Sequence, residues 1–172
     1  MNGQRIEHDL LGERTLPENA LFGIHTRRAQ ENFDLAGRRV RPSLMRADGM
    51  VKLAALRANH AIRPWPDDKF QAMETSCWEL IEGNLLDHAP VDAYQGGAGT
   101  STNMSVNEIL TNRALELLDE KPGSHHLIHP LLDLNRHQST NDTFPSALAV
   151  AAIGELRQLE NAVVAVLEAF QD

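Results

Sequence analysis

From Pro145 to the last residue, Leu148, Ala152, Leu156, Leu159, Val163, Val166 and Phe170 recur at steps of three and four. This near-heptad spacing puts an apolar stripe on one long helix, and such a stripe demands helical partners. Pro145 suits a helix start. The helices legible upstream are too short to cover the stripe, which runs undiminished to Phe170 with no capping glycine after it. The expectation is twofold: the chain oligomerises through this helix, and it is part of a longer protein.

The rest of the chain also reads as mainly α. Pro42 and Ser43 open a helix with Leu44, Ala47, Val51, Ala54, Ala55, Ala58 and Ile62 on one face, stopped by Pro64 and Pro66. Asp67 caps the next, with Phe70, Met73, Cys77 and Ile81 inward and Gly83 at C′. Ser105 and Glu108 have capping-box spacing ahead of a helix through Ile109, Leu110 and Leu117, although the helix start near Thr100 is an alternative. A short helix over His25–Phe33 takes Thr26 as its N-cap, and an extended arm precedes it, with a strand or hairpin around Arg5–Asp9. The segment from Lys121 to Asn135 reads as loop.

A length of 172 residues can bury a core and suggests one domain. A net charge of −8 argues against binding a nucleic-acid backbone but leaves room for a locally positive site for a small anion. The single cysteine, Cys77, excludes an intrachain disulfide, reads as a small core residue and fits a reducing compartment. With a polar N-terminus and no apolar run of membrane length, a soluble, cytoplasmic chain with no membrane partner is expected.

Two stretches carry candidate chemistry. Gln95-Gly96-Gly97-Ala98-Gly99-Thr100-Ser101-Thr102-Asn103-Met104 joins a glycine turn to a run of hydroxyls and an amide at a helix start, where free N–H groups can hold an anion. Gln138-Ser139-Thr140-Asn141-Asp142 repeats the polar run before the last helix. Either run alone is accounted for by helix capping. Their duplication favours neutral donors that converge on one carboxylate-bearing molecule and stabilise extra negative charge on it. His125, His126, His129 and His137 lie close in sequence. His125 and His129 have the spacing of helical metal ligands, but Pro122, Gly123 and Pro130 interrupt the helix, and a solvated loop with one histidine near a ligand is preferred. Arg27 and Arg28 either lend charge to a site or are surface cations. The chain has no glycine–lysine phosphate loop, no strand-coupled GxGxxG and no GxSxG.

Arg5-Ile6-Glu7-His8-Asp9-Leu10-Leu11-Gly12-Glu13, Gly23-Ile24-His25-Thr26, Ala29-Gln30-Glu31-Asn32-Phe33, Gln95 to Glu108 and Gln138 to Pro145 together resemble the opening part of the aspartase/class II fumarase superfamily, in register over nearly the whole chain. Gly96 to Ser101 and Ser139-Thr140-Asn141 are similar to its aspartase branch. The resemblance implies a small N-terminal helical domain (residues 1–140) leading into the first long helix of a helical bundle (141–172) that assembles as a homotetramer, each site built from three subunits. It implies elimination of ammonia from L-aspartate to give fumarate, through an intermediate with two negative charges on the β-carboxylate and no organic cofactor or metal. Thr100, Ser139 and Thr140 match positions that bind substrate and the developing charge; Asn141 matches a further substrate contact. The serine base and a substrate-binding lysine are expected downstream of Asp172, so this stretch alone is expected to be inactive. The partners of Thr100 need not come from the same subunit, so the two runs are not expected to meet within one chain. In His129-Pro130-Leu131-Leu132-Asp133 two leucines replace polar family residues, which puts a secondary anion site there in doubt. Fumarate hydration and a non-catalytic oligomerisation module are the competing readings.

Overall fold

The computed structural model describes residues 3–171. Strands β1 (Gln4–Asp9) and β2 (Gly12–Pro17) form an antiparallel hairpin, so of the two expectations for the extended arm the hairpin is the one observed. Five helices follow: α1 (Ile24–Asn32), α2 (Pro42–Ile62), α3 (Asp67–Glu82), α4 (Thr100–Leu117) and α5 (Thr140–Gln171). The chain is thus mainly α, as its periodicity predicts. Among the described residues no helix is long and apolar enough to cross a membrane.

The core lies between α2, α3 and α4, where Met45, Leu53, Leu56, Met73, Cys77, Leu80, Val106, Ile109, Leu110 and Leu115 pack together. Cys77 is a wholly buried core residue, and burial pushes its thiol up to about 12. Gly83 ends α3 with a left-handed φ of 97°, the conformation that favours glycine at this position.

α4 is the central element, buried on nearly every side from Thr102 to Leu115 although it carries Asn103, Asn107, Glu108 and Asn112. Buried polar groups of this kind need partners. Glu108 finds them at the start of α1. Its carboxylate accepts the backbone N–H groups of Gly23 (2.9 Å), His25 (2.8 Å) and Thr26 (3.0 Å) and the Thr26 hydroxyl (2.6 Å). Glu7 of β1 accepts the Ile24 N–H at 2.8 Å and is paired with Arg5. Two carboxylates from distant elements therefore satisfy the N–H groups that a helix start leaves open. Burial raises the Glu108 pKa, against the lowering effect of these hydrogen bonds.

These contacts correct three local expectations. Ser105 and Glu108 lie inside α4 and form no capping box, because the partners of Glu108 are far away in sequence. Thr26 is not an N-cap: Gly23 is, and the Thr26 hydroxyl serves Glu108. Asp67 is the first residue of α3, after an N-cap at Pro66. Two element bounds also differ. Pro130–Leu134 forms a π-type turn within the expected loop, and α5 begins at Thr140, so Pro145 sits inside the helix.

The buried residues of α2 are Met45, Ala47, Asp48, Gly49, Lys52, Leu53 and Leu56; of the expected face Ala47 is buried and Leu44, Val51 and Ala55 are half-buried, but Ala54, Ala58 and Ile62 are exposed. The charges of Asp48 and Lys52 conceal the buried face from a hydrophobicity pattern. α5 packs its first turns through Thr143 and Ala147, and from Ala152 onward every described residue is exposed. Leu156, Leu159, Val163, Val166 and Phe170 thus present the expected stripe to solvent.

Replacing Glu108 with Ala would strand several buried donors at once, each worth about 1–3 kcal/mol. Glu108→Ala is expected to lower the stability to urea by about 3 kcal/mol or more, with faster amide exchange at His25 and Thr26. Unchanged exchange there would show that the cap is dispensable.

Candidate functional site

The two polar runs adjoin. Gly97 (φ 70°), Ala98 (φ 51°) and Gly99 (φ 88°) are all left-handed, giving a tight turn that delivers the chain into α4. Non-glycine residues rarely adopt this conformation. At Gly99 a Cβ would lie 2.3 Å from the ring of Phe144, so glycine is needed both for its φ and for the close approach of α5. Thr100 to Asn103 do not supply the cap of α4. The Gln95 side chain does so from ahead of the glycines, accepting from the Thr102 N–H (2.8 Å) and hydroxyl (3.1 Å).

At the second helix start Ser139 and Asp142 cap reciprocally. The Asp142 carboxylate accepts the Ser139 N–H at 3.2 Å, and the Ser139 carbonyl accepts from the Asp142 N–H at 3.1 Å. The Ser139 hydroxyl oxygen accepts the Asn141 N–H at 3.2 Å. The Thr140 hydroxyl oxygen accepts from Asn103 Nδ2 at 3.0 Å, which ties α4 to α5 within one chain. Capping and ligand binding are therefore compatible here. In both Ser139 and Thr140 the oxygen is held as an acceptor while the O–H remains able to donate. The Thr100 hydroxyl is exposed but donates to the Gly97 carbonyl at 2.6 Å, so it must turn from that bond to serve a ligand. Asn141 is exposed.

Beneath these residues lies a buried polar cluster that pattern reading does not find. Lys52, 1% exposed, donates to Asn135 Oδ1 (2.9 Å) and Gln138 Oε1 (3.0 Å). Asn135 Oδ1 also accepts from Asn103 Nδ2 (3.3 Å) and Asn107 Nδ2 (3.2 Å). Asp48, one turn before Lys52, is wholly buried, and neither of its oxygens has a hydrogen-bond partner. Burial pushes Asp48 up to about 6 against the attraction of Lys52, and burial likewise brings Lys52 down to about 8. The one signal in the sequence was a lysine ringed at helical spacing by Met45, Gly49, Leu53 and Leu56.

The remaining candidates have structural duties. Arg28 pairs with Asp9 at 2.7 Å and Arg27 with Glu31 at 3.4 Å. The rings of His125 and His129 are 5.9 Å apart. Among the described residues no group of three or more His, Cys, Asp or Glu could hold a metal ion. His129 Nδ1 accepts the Leu131 N–H at 3.0 Å, and Asp133 accepts from Trp65 Nε1 (2.7 Å), Lys69 Nζ (2.9 Å) and the His129 N–H (2.8 Å). The loop around Leu131 and Leu132 is thus closed on itself, with both leucines at the surface. A groove of about 660 Å³ runs between Arg38–Leu44, the glycine turn and the Phe144–Glu155 side of α5. Thr100, Ser139, Thr140 and Asn141 are not among its lining residues.

Comparison with known proteins adds to this geometry. A family model described as Lyase matches residues 12–172. An aspartate ammonia-lyase of a Bacillus species is 44% identical over 155 residues, covering 90% of this chain and 33% of its own. A class II fumarate hydratase of Thermus aquaticus is 41% identical over 171 residues, covering 98% of this chain and 36% of its own. The crystal structure of a fumarate lyase:delta crystallin from Brucella melitensis superposes with a TM-score of 0.94 at 44% identity, covering 98% of this chain and 40% of that one. The chain spans about a third of the length of the curated relatives it matches.

Two outcomes follow from the packing and burial. Gly99→Ala is expected to destabilise the chain by about 2 kcal/mol or more through strain and overpacking. Part of that loss should return in the Gly99→Ala/Phe144→Ala double variant; strict additivity in denaturation would show that the two do not meet. For Asp48 the folded pKa (about 6) lies above the ordinary 3.8, so its stabilising proton is lost as the pH rises through 4 to 6. Asp48→Asn, which has no ionisation cost, should gain up to about 3 kcal/mol on wild type between pH 4 and pH 7, read by thermal unfolding. A pH-independent difference would mean that Asp48 titrates normally.

Proposed function

The chain belongs to the lyase family, and we propose that the protein carrying it is an aspartate ammonia-lyase, which converts L-aspartate to fumarate and ammonia. Loss of a Cβ proton places a second negative charge on the β-carboxylate, and departure of the amine as ammonia from Cα completes the double bond. Catalysis requires donors that meet this charge more strongly in the transition state than in the substrate. The observation that carries the reading is the pair of hydroxyls on Ser139 and Thr140, each fixed by a bond to its oxygen and each keeping its O–H to give. They sit at the start of α5, which packs on the glycine turn through Phe144 and is bonded to α4 through Asn103, and whose dipole favours an anion.

Asn141 contributes a further substrate contact. The base is assigned to a serine expected downstream of Asp172. We place residues 1–140 in an N-terminal helical domain and 141–172 at the start of a helical bundle. The exposed stripe of α5 then packs against other subunits of a cytoplasmic homotetramer, and each site draws residues from several of them. The identities to an ammonia-lyase and to a hydratase are close, 44% and 41%. The aspartase-like residues Gly96 to Ser101 and Ser139-Thr140-Asn141 favour aspartate over malate.

The test is turnover by the full-length protein, followed by the ultraviolet absorbance of fumarate. Aspartate should be consumed, and Ser139→Ala or Thr140→Val should each lower kcat/KM by about 10²-fold. The 172 residues alone should turn over neither substrate. Malate consumed in place of aspartate would make the protein a hydratase, and no turnover of either by the full-length form would leave an oligomerisation module.

A further inference from the structure

We infer that Lys52 is a positioning residue for the substrate-binding turn: its buried ammonium, bonded to Asn135 and Gln138, fixes the chain that presents Ser139 and Thr140. The inference rests on the reading of those two hydroxyls as substrate donors.

A lysine 1% exposed is an expensive core residue. Its ammonium must leave water, and an apolar side chain of similar size would serve the packing of α2 at least as well. Its bonds show what it does instead. Nζ reaches Asn135 Oδ1 at 2.9 Å and Gln138 Oε1 at 3.0 Å, the two side chains that close the turn before α5. Asn135 Nδ2 donates to the Gln138 carbonyl at 3.1 Å, and Gln138 Nε2 donates to the Leu134 carbonyl at 2.9 Å. Between them His137 is held at a φ of 55°, a conformation that persists only where its surroundings impose it. Ser139 follows two residues later.

A second route runs through α4. Asn135 Oδ1, already engaged by the ammonium, accepts from Asn103 Nδ2 at 3.3 Å, and that same amide donates to the Thr140 hydroxyl at 3.0 Å. Both candidate donors are therefore held by chains of bonds that begin at Lys52. The buried positive charge also lies on the same side as the N-terminal end of α5, where it adds to the potential that would receive a carboxylate.

The experiment uses the full-length protein with Lys52→Met, and with Gln138→Ala as the variant that cuts the same link from the other end without altering the core. Amide exchange of residues 136–141 and of Met73 to Leu80 is measured in each, together with KM and kcat for aspartate. Loosening of the turn by about an ångström should cost about 10²-fold in kcat/KM. Exchange should quicken at 136–141 while α3 stays protected, and the double variant should be little worse than either single one. Folded variants with wild-type exchange at 136–141 and wild-type kcat/KM would overturn the inference. If Lys52→Met does not fold, Gln138→Ala alone decides, by the same two readouts. Should the wild type not turn over aspartate, the proposed function falls, while the exchange at 136–141 still judges whether Lys52 sets the turn.

Discussion

A helix buried on nearly every side draws partners for its polar groups from the rest of the chain, and α4 does so through Glu108, Asn112, Asn103 and the Asn107 amide N–H, while Ser105 Oγ, Asn107 Oδ1 and Thr111 Oγ1 are left unpaired. Glu108 takes up three backbone N–H groups and a hydroxyl at the start of α1. Asn112 accepts the Gly123 N–H at 2.9 Å and donates to the Leu21 carbonyl at 2.7 Å. Asn103 and Asn107 reach Asn135 and, from Asn103, Thr140. The start of α1, the Leu21 and Gly123 segments and the turn before α5 are thus each tied to side chains of the core helix, while Asp92 holds the segment at Ala36 and Gly37. Loops fixed in this way can carry a site with little freedom to misplace it.

The candidate donors differ in readiness. Ser139 and Thr140 have their oxygens engaged and their protons free, whereas Thr100 has spent its proton on the Gly97 carbonyl. A carboxylate arriving at the paired hydroxyls meets groups already oriented. Thr100 joins only by rotating about its Cα–Cβ bond, a small local rearrangement at the mouth of the glycine turn.

How much of this was legible beforehand depended on whether the determining contact was local. The bounds of α2 and α3 followed from Pro42, Pro64, Pro66 and Gly83, and the stripe of α5 from its spacing, because those signals act within a few residues. The inward face of α2 was misread because two buried charged side chains, Asp48 and Lys52, look in a hydrophobicity pattern like solvated ones. Ser105 and Glu108 mimicked a cap because nothing near them reveals that the carboxylate is used by Gly23 and Thr26. The same limit hid Lys52, Asn135 and Gln138, whose meaning exists only once α2, α4 and the turn before α5 are brought together. The hydroxyl runs were found since they sit at helix starts, but which hydroxyl keeps a free proton is a matter of hydrogen-bond direction alone.

The projecting part of α5 has a mechanical side. The whole helix of 32 residues extends roughly 48 Å at 1.5 Å per residue, and among the described residues its buried positions, Thr143 and Ala147, lie near its base, beside the Phe144 ring that packs on Gly99. A tilt of about 10° at that grip would swing the far end by roughly 6 Å, a little more than one helical pitch. The grip adjoins Thr140 and Asn103. The angle at which this arm leaves the core and the setting of the Ser139 and Thr140 hydroxyls are thus adjustments of a single joint.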